Sequence, residues 1–291
     1  MFPVPAATFV DRLAELSEGG AGWLRESVLS LEMGRPGVDI GAVFAEAGRR
    51  VGRARLAGTM PADPAQPLAI LDAWSADDAA RAALLLAVAA GRPSDLPAAI
   101  EDLYATGDGR EKAAIVRTLV LLPEASRFVP IALDCGRTHD MTLFGALASG
   151  NAFASLHYSE REFNAFAMKA VFVGVSASDI LGLPRRLNGE LSRMAVDYVN
   201  ERESAGRPVP PAVWDLVGPS PPQGAVGRLI GYLNNSVSDH RVGCARALVR
   251  VGDGRARSFL LERAAVESDP GVADVLRQAA DELERAGAVG V

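Results

Sequence analysis

Few side chains in this sequence stand at spacings that could do chemistry. His139, His157 and His240 are the histidines, and neither their separation nor their neighbours match HExxH, a facial triad or a zinc cluster, so no metal site is expected. Cys135 precedes His139 by four residues, the reach of one helical turn, but no oxyanion device follows that would turn a thiol and an imidazole into an acyl-transfer pair. The glycine-containing stretches GAVFAEAG and GDGRARS lack the strand, turn and helix context of a nucleotide loop. The residues carry no catalytic signature and require no cofactor.

Lys169 is the residue that most needs an explanation. It lies in EREFNAFAMKAVFVG, where Phe163, Phe166, Ala167, Ala170 and Val171 form one apolar face and Met168, Phe172 and Val173 make the opposite face apolar too. An ammonium buried without a partner costs several kcal/mol. It must therefore snorkel to water, pair with Glu162 two turns back, or meet a ligand. Polar breaks at Arg137-Thr138-His139-Asp140 and at Asn151 flank buried helices and are the expected partners of such a pocket, with His157 close in sequence. The candidate ligand-binding set is thus Arg137, His139, Asp140, Asn151, His157 and Lys169, with Phe153, Phe166 and Phe172 available as apolar lining.

The elements that would position these residues are all helical. Ser159 with Glu162, Asp108 with Glu111 and Ser75 with Asp78 stand at capping-box spacing, and Asp39, Asp140 and Asn188 precede further helices as caps. Phe9, Val10, Leu13 and Leu16 predict a first helix ending at Ser17-Glu18-Gly19-Gly20, and Trp23, Leu24, Val28, Leu29 and Leu31 a second. Arg49, Arg50, Arg53 and Arg55 gather at the end of the next helix, where cations complement its dipole. A proline-rich connection, TMPADPAQP, separates it from the helix containing Leu84, Leu85, Leu86 and Val88. No segment alternates with the period of a strand. The expected fold is all-α, an irregular α-solenoid or HEAT-like helical array.

Val217 to Gly224, with three prolines, is the strongest internal punctuation and suggests two parts, 1–218 and 225–291. In the second, Ser238-Asp239 and Ser268-Asp269 recur at a spacing of 30, each read as capping a helix, with Pro270 in the first turn of the later one. This HEAT-like tail is expected to pack on the main array.

At 291 residues, the chain can bury a core without disulfides, and its two cysteines read as small buried hydrophobes of a reduced compartment. No apolar run reaches the ~18 residues of a membrane span, and the first residues lack a signal-peptide pattern, which predicts a cytoplasmic protein. A net charge of −6 argues against a nucleic-acid partner.

Several of these stretches, taken together, resemble the EboA-domain family of bacterial proteins. The resemblance rests on Arg137-Thr138-His139, Asn151-Ala152-Phe153, Lys169-Ala170-Val171-Phe172-Val173-Gly174-Val175, and Asp197-Tyr198-Val199-Asn200-Glu201-Arg202 leading to Gly206-Arg207-Pro208. It extends from Trp23 to Gly218 and leaves the tail outside; His139, Ala152 and Phe153 depart from the family's residues. It implies a part in the traffic of secondary-metabolite precursors. The expected function is a non-catalytic binding or scaffold protein whose partners are other pathway proteins or a small metabolite. An enzyme acting through Lys169, His139 and His157, and a plain protein-interaction solenoid, are the alternatives.

Overall fold

The computed structural model describes residues 5–14, 18–35, 37–56 and 74–289. Contacts divide the chain into two compact units, Met1–Tyr158 and Ser159–Val291. The described residues are helical, and their only β-pairing is one isolated antiparallel bridge between Arg55 and Ser75. None of their helices is long and apolar enough to cross a membrane.

The first unit contains α1 (Ala6–Ala14), α2 (Glu18–Glu32), α3 (Ile40–Val51), α4 (Ala76–Gly91), α5 (Leu96–Thr106), α6 (Gly109–Thr118), α7 (Val129–Arg137), α8 (Met141–Ala148) and α9 (Phe153–His157). Its centre is α4, which packs against α1, α2, α3 and α6. Every residue of α4 from Ala76 to Val88 is buried. Alanines at 79, 80, 82, 83 and 87 let neighbours approach from all sides, while Leu84, Leu85 and Leu86 fill the space between them. At Gly91 the helix lies hard against α2, where a Cβ would stand 2.3 Å from the Leu31 carbonyl oxygen. The glycines at 19 and 20, expected to end the first helix, lie instead inside α2, which already begins at Glu18. Gly20 is there because Val51 of α3 crosses it: its Cβ would stand 3.1 Å from the Val51 Cα. The proline-rich connection at 59–67 lies outside the described residues.

The second unit contains α10 (Glu160–Phe172), α11 (Leu183–Arg186), α12 (Gly189–Ser204), a 3-10 turn at Pro211–Leu216, α13 (Ala225–Tyr232), α14 (Ser238–Val251), α15 (Ala256–Val266) and α16 (Pro270–Val289). The Pro211–Leu216 turn buries Val213, Trp214 and Leu216 against α12 and α14, and α16 packs on α14 and α15. Trp214 Nε1 donates to Nδ1 of His240 at 2.8 Å, and Arg250 donates to the carbonyls of Trp214 and Val217. These bonds tie α14 to the segment on the other side of the proline-rich stretch at 217–224.

The expected caps are found at Asp39, Asp108, Asp140, Ser159 and Asn188. Two expectations need correction. Ser238 and Asp239 do not precede α14 but form its first turn, after Val237, whereas Asp269 does cap α16 by accepting from the amides of Gly271 and Val272. Nor is α10 buried all round. Phe163, Phe166, Ala167, Ala170 and Val171 are buried, but Phe172 is 63% exposed, lying edge-on to Tyr198, and Met168 and Lys169 are half-buried. Within the second unit α10 packs against α11, α12 and the Pro211–Leu216 turn.

Candidate functional site

Charge is concentrated at the N-terminal end of α4. Asp77, fully buried, accepts from Arg81 Nη1 at 2.8 Å, from Arg110 Nη2 at 2.8 and 3.0 Å, and from the Ser75 hydroxyl at 2.6 Å. Asp78 accepts both the backbone N–H and the hydroxyl of Ser75, closing the α4 cap, and its other oxygen meets Arg117 Nη1 at 3.2 Å. Glu111, at the start of α6, caps that helix through the Asp108 amide and lies 3.7 Å from Arg81. Packing α6 beside α4 brings these groups together.

Burial pushes the Asp77 carboxyl upward, but hydrogen bonds from Arg110 and Ser75 and the charges of Arg110 and Arg81 outweigh it, and its pKa falls below the usual aspartate value. The same bond to Asp77 raises the pKa of Arg110. A carboxylate whose pKa is lowered and which already receives two guanidiniums is a weaker base toward the Ser75 hydroxyl bonded to it.

Over this network lies a depression of about 200 Å³ lined by Arg53, Arg55, Ser75, Asp78, Arg110, Ala113, Arg117 and Thr142. Arg53 and Arg55 extend from the segment after α3, fastened to the head of α4 by the bonds Leu56 N to Trp74 O and Ala76 N to Ala54 O. Arg50, one turn earlier, is answered by Glu46. Arg53 and Arg55 have no ion-pair partner among the described residues. Among the described residues, five guanidiniums (53, 55, 81, 110, 117) and four carboxylates (77, 78, 108, 111) gather here, Asp108 acting on Arg110 by its charge, which leaves a local excess of one positive charge. Guanidinium forks already aligned by carboxylates behind them form a receptor for a phosphate or carboxylate in front.

The residues expected from sequence fall in both units. Arg137, His139 and Asp140 share the exposed turn between α7 and α8. Asp140 caps α8 by accepting from the amides of Thr142 and Leu143, which fixes Thr142 at the rim of the arginine depression. Asn151 is buried, and its amide is occupied by backbone: it donates to the carbonyls of Val116 and Ala146 and accepts from Phe153 N. His157 ends α9, its ring 4.8 Å from that of Phe153, and burial lowers its pKa. Lys169 belongs to the second unit, and Glu162, its expected partner, accepts the amide and hydroxyl of Ser159. No group of histidine, cysteine, aspartate and glutamate among the described residues could hold a metal ion.

Spacing identifies Asp78 only as the capping partner of Ser75 and does not single out Asp77, Arg110 or Arg117, because their convergence joins segments far apart in sequence. The available signal was two acidic residues opening an otherwise apolar helix. Buried carboxylates require cationic partners, and these are Arg81, one turn on in α4, and Arg110 and Arg117 of α6.

No curated protein and no solved structure matches the chain. Residues 12–218, more than two thirds of the sequence, match the profile of the metabolite traffic protein EboA, and the chain belongs to that family.

Proposed function

We propose that this protein is a non-catalytic binding protein of metabolite traffic that takes an anionic metabolite, by its phosphate or carboxylate group, into the arginine depression of the first unit. The observation that carries this reading is the excess of guanidinium over carboxylate around that depression, where Arg53 and Arg55 have no ion-pair partner among the described residues. Its volume suits an anionic head group, the remainder of the ligand lying outside. The Asp77 carboxylate bonded to Ser75 has its pKa lowered and is already engaged by two arginines, and no histidine, lysine or cysteine among the described residues lines the depression, which favours binding over turnover.

The test is calorimetric titration with pyrophosphate and with small dicarboxylates at low and high salt. Binding that weakens with salt is expected, falling by about tenfold or more in Arg53→Gln/Arg55→Gln while the melting temperature stays unchanged. A double variant that binds as tightly as the parent removes this reading. Mass analysis showing conversion of a bound metabolite would replace it with a catalytic one.

A further inference from the structure

A second cavity, of about 270 Å³, lies wholly within the second unit, lined by Ser176, Ser178, Leu183, Pro184, Asp215, Arg246 and Arg250 among others. Its polar groups are unevenly satisfied. Arg246 and Arg250 stand one turn apart on α14, where like charges repel. Arg250 is oriented by its bonds from Nε to the Val217 carbonyl at 3.0 Å and from Nη2 to the Trp214 carbonyl at 2.7 Å, which leave its Nη1 without a hydrogen-bond partner among the described residues. Arg246 has no ion-pair or hydrogen-bond partner there either. Asp215, half-buried beside them, accepts no hydrogen bond among the described residues, and its nearest cation is Arg250 at a loose 3.9 Å. Burial raises its pKa against the pull of Arg250 and Arg246.

Two cations with open donors and one carboxylate with open acceptors border the same space. A simple anion answers the arginines but is repelled by Asp215; a simple cation meets the reverse. We propose that this cavity binds a small carboxylic acid that bears a hydroxyl or ammonium group beside its carboxylate. The ligand's carboxylate sits on Arg246 and Arg250, its donor is received by Asp215, and Leu183 and Pro184 cover its apolar side. The site is independent of the arginine depression, which belongs to the other unit.

The experiment is titration of the full chain with lactate, with propionate, which lacks the hydroxyl, and with inorganic phosphate. Lactate is expected to bind about tenfold tighter than propionate. Arg246→Gln, at an exposed residue, should weaken both carboxylates at unchanged melting temperature. Asp215→Ala should erase the preference for lactate while strengthening propionate, because it removes a donor's partner and a negative charge together; a merely structural aspartate would not produce opposite signs. Arg53→Gln/Arg55→Gln should leave lactate binding intact, so that failure of the first site and failure of this one are told apart. The proposal is overturned if the parent does not bind lactate at millimolar concentration, if lactate and propionate bind alike, if phosphate binds and lactate does not, or if the Arg53/Arg55 variant abolishes lactate binding.

Discussion

Replacing Asp77 with asparagine tests the network on which the arginine depression rests. The side chain is 1% exposed and receives two guanidiniums and a hydroxyl, so the substitution keeps the shape and removes the charge. Arg81, 5% exposed, is then left with Glu111 at 3.7 Å as its remaining counter-charge. Breaking a buried ion pair by removing one partner costs about 3–5 kcal/mol. At roughly 2–4 °C per kcal/mol for a unit of this size, the melting temperature should fall by about 6–20 °C in calorimetry at neutral pH. Glu46→Gln, which breaks the exposed pair with Arg50, is the control and should move it by about 2 °C or less. The pH dependence has a definite sign. Because the folded pKa of Asp77 lies below the ordinary 3.8, its stabilisation is present above that value and is lost as pH falls through the folded pKa, so parent and variant should converge in acid. A variant melting within about 2 °C of the parent at neutral pH would refute the claim that this network holds α4 and α6 together.

Gly91→Ala should destabilise the protein by several degrees, since its Cβ would meet the backbone oxygens of Leu31 and Glu32 at 2.3 and 2.4 Å, groups that cannot rotate away; an unchanged melting curve would show that α2 and α4 separate freely. His240 has its pKa lowered by burial, opposed by a backbone bond to Val209 and the charge of Asp239, and it accepts the Trp214 indole proton only when neutral. Its contribution is therefore present above the unfolded value of 6.5 and lost as pH falls toward the folded pKa, and in His240→Gln this part of the pH dependence of stability should disappear. A chain ending at Gly218 should expose the apolar surface of Val213, Trp214 and Leu216 and aggregate, as light scattering would show; a monomer with an unchanged melting point would make the remaining residues an independent appendage.

The fold class was legible because helix caps are written within three or four residues. Asp108 with Glu111 and Ser159 with Glu162 form the bonds their spacing implies, and the apolar runs between caps supply the buried faces. Where a signal depended on what lies opposite, sequence was ambiguous. The apolar residues around Lys169 suggested a helix buried on every side, but hydrophobicity does not report which neighbours exist, and Phe172 faces outward. Asn151 looked like a ligand group and spends its amide on the backbone of α6, α8 and α9, as a buried asparagine at a chain break must. The arginine depression was half visible. Arg53 and Arg55 stand out as a cluster, but a helix dipole is the simpler account of it from sequence, and only the packing of α4 against α6 adds Arg110 and Arg117.

Among the described residues, two backbone bonds fasten the segment bearing Arg53 and Arg55 to the head of α4, from the amides of Leu56 and Ala76. Those two protons are consequently natural timekeepers for the depression. Their exchange with deuterium requires the bridge to part, and a ligand that grips the arginines only in the closed arrangement must first dissociate. At a ligand concentration about 100 times its dissociation constant, the opening becomes about 2.7 kcal/mol costlier and exchange at both positions slows about a hundredfold, whereas amides on α16 should keep their pace.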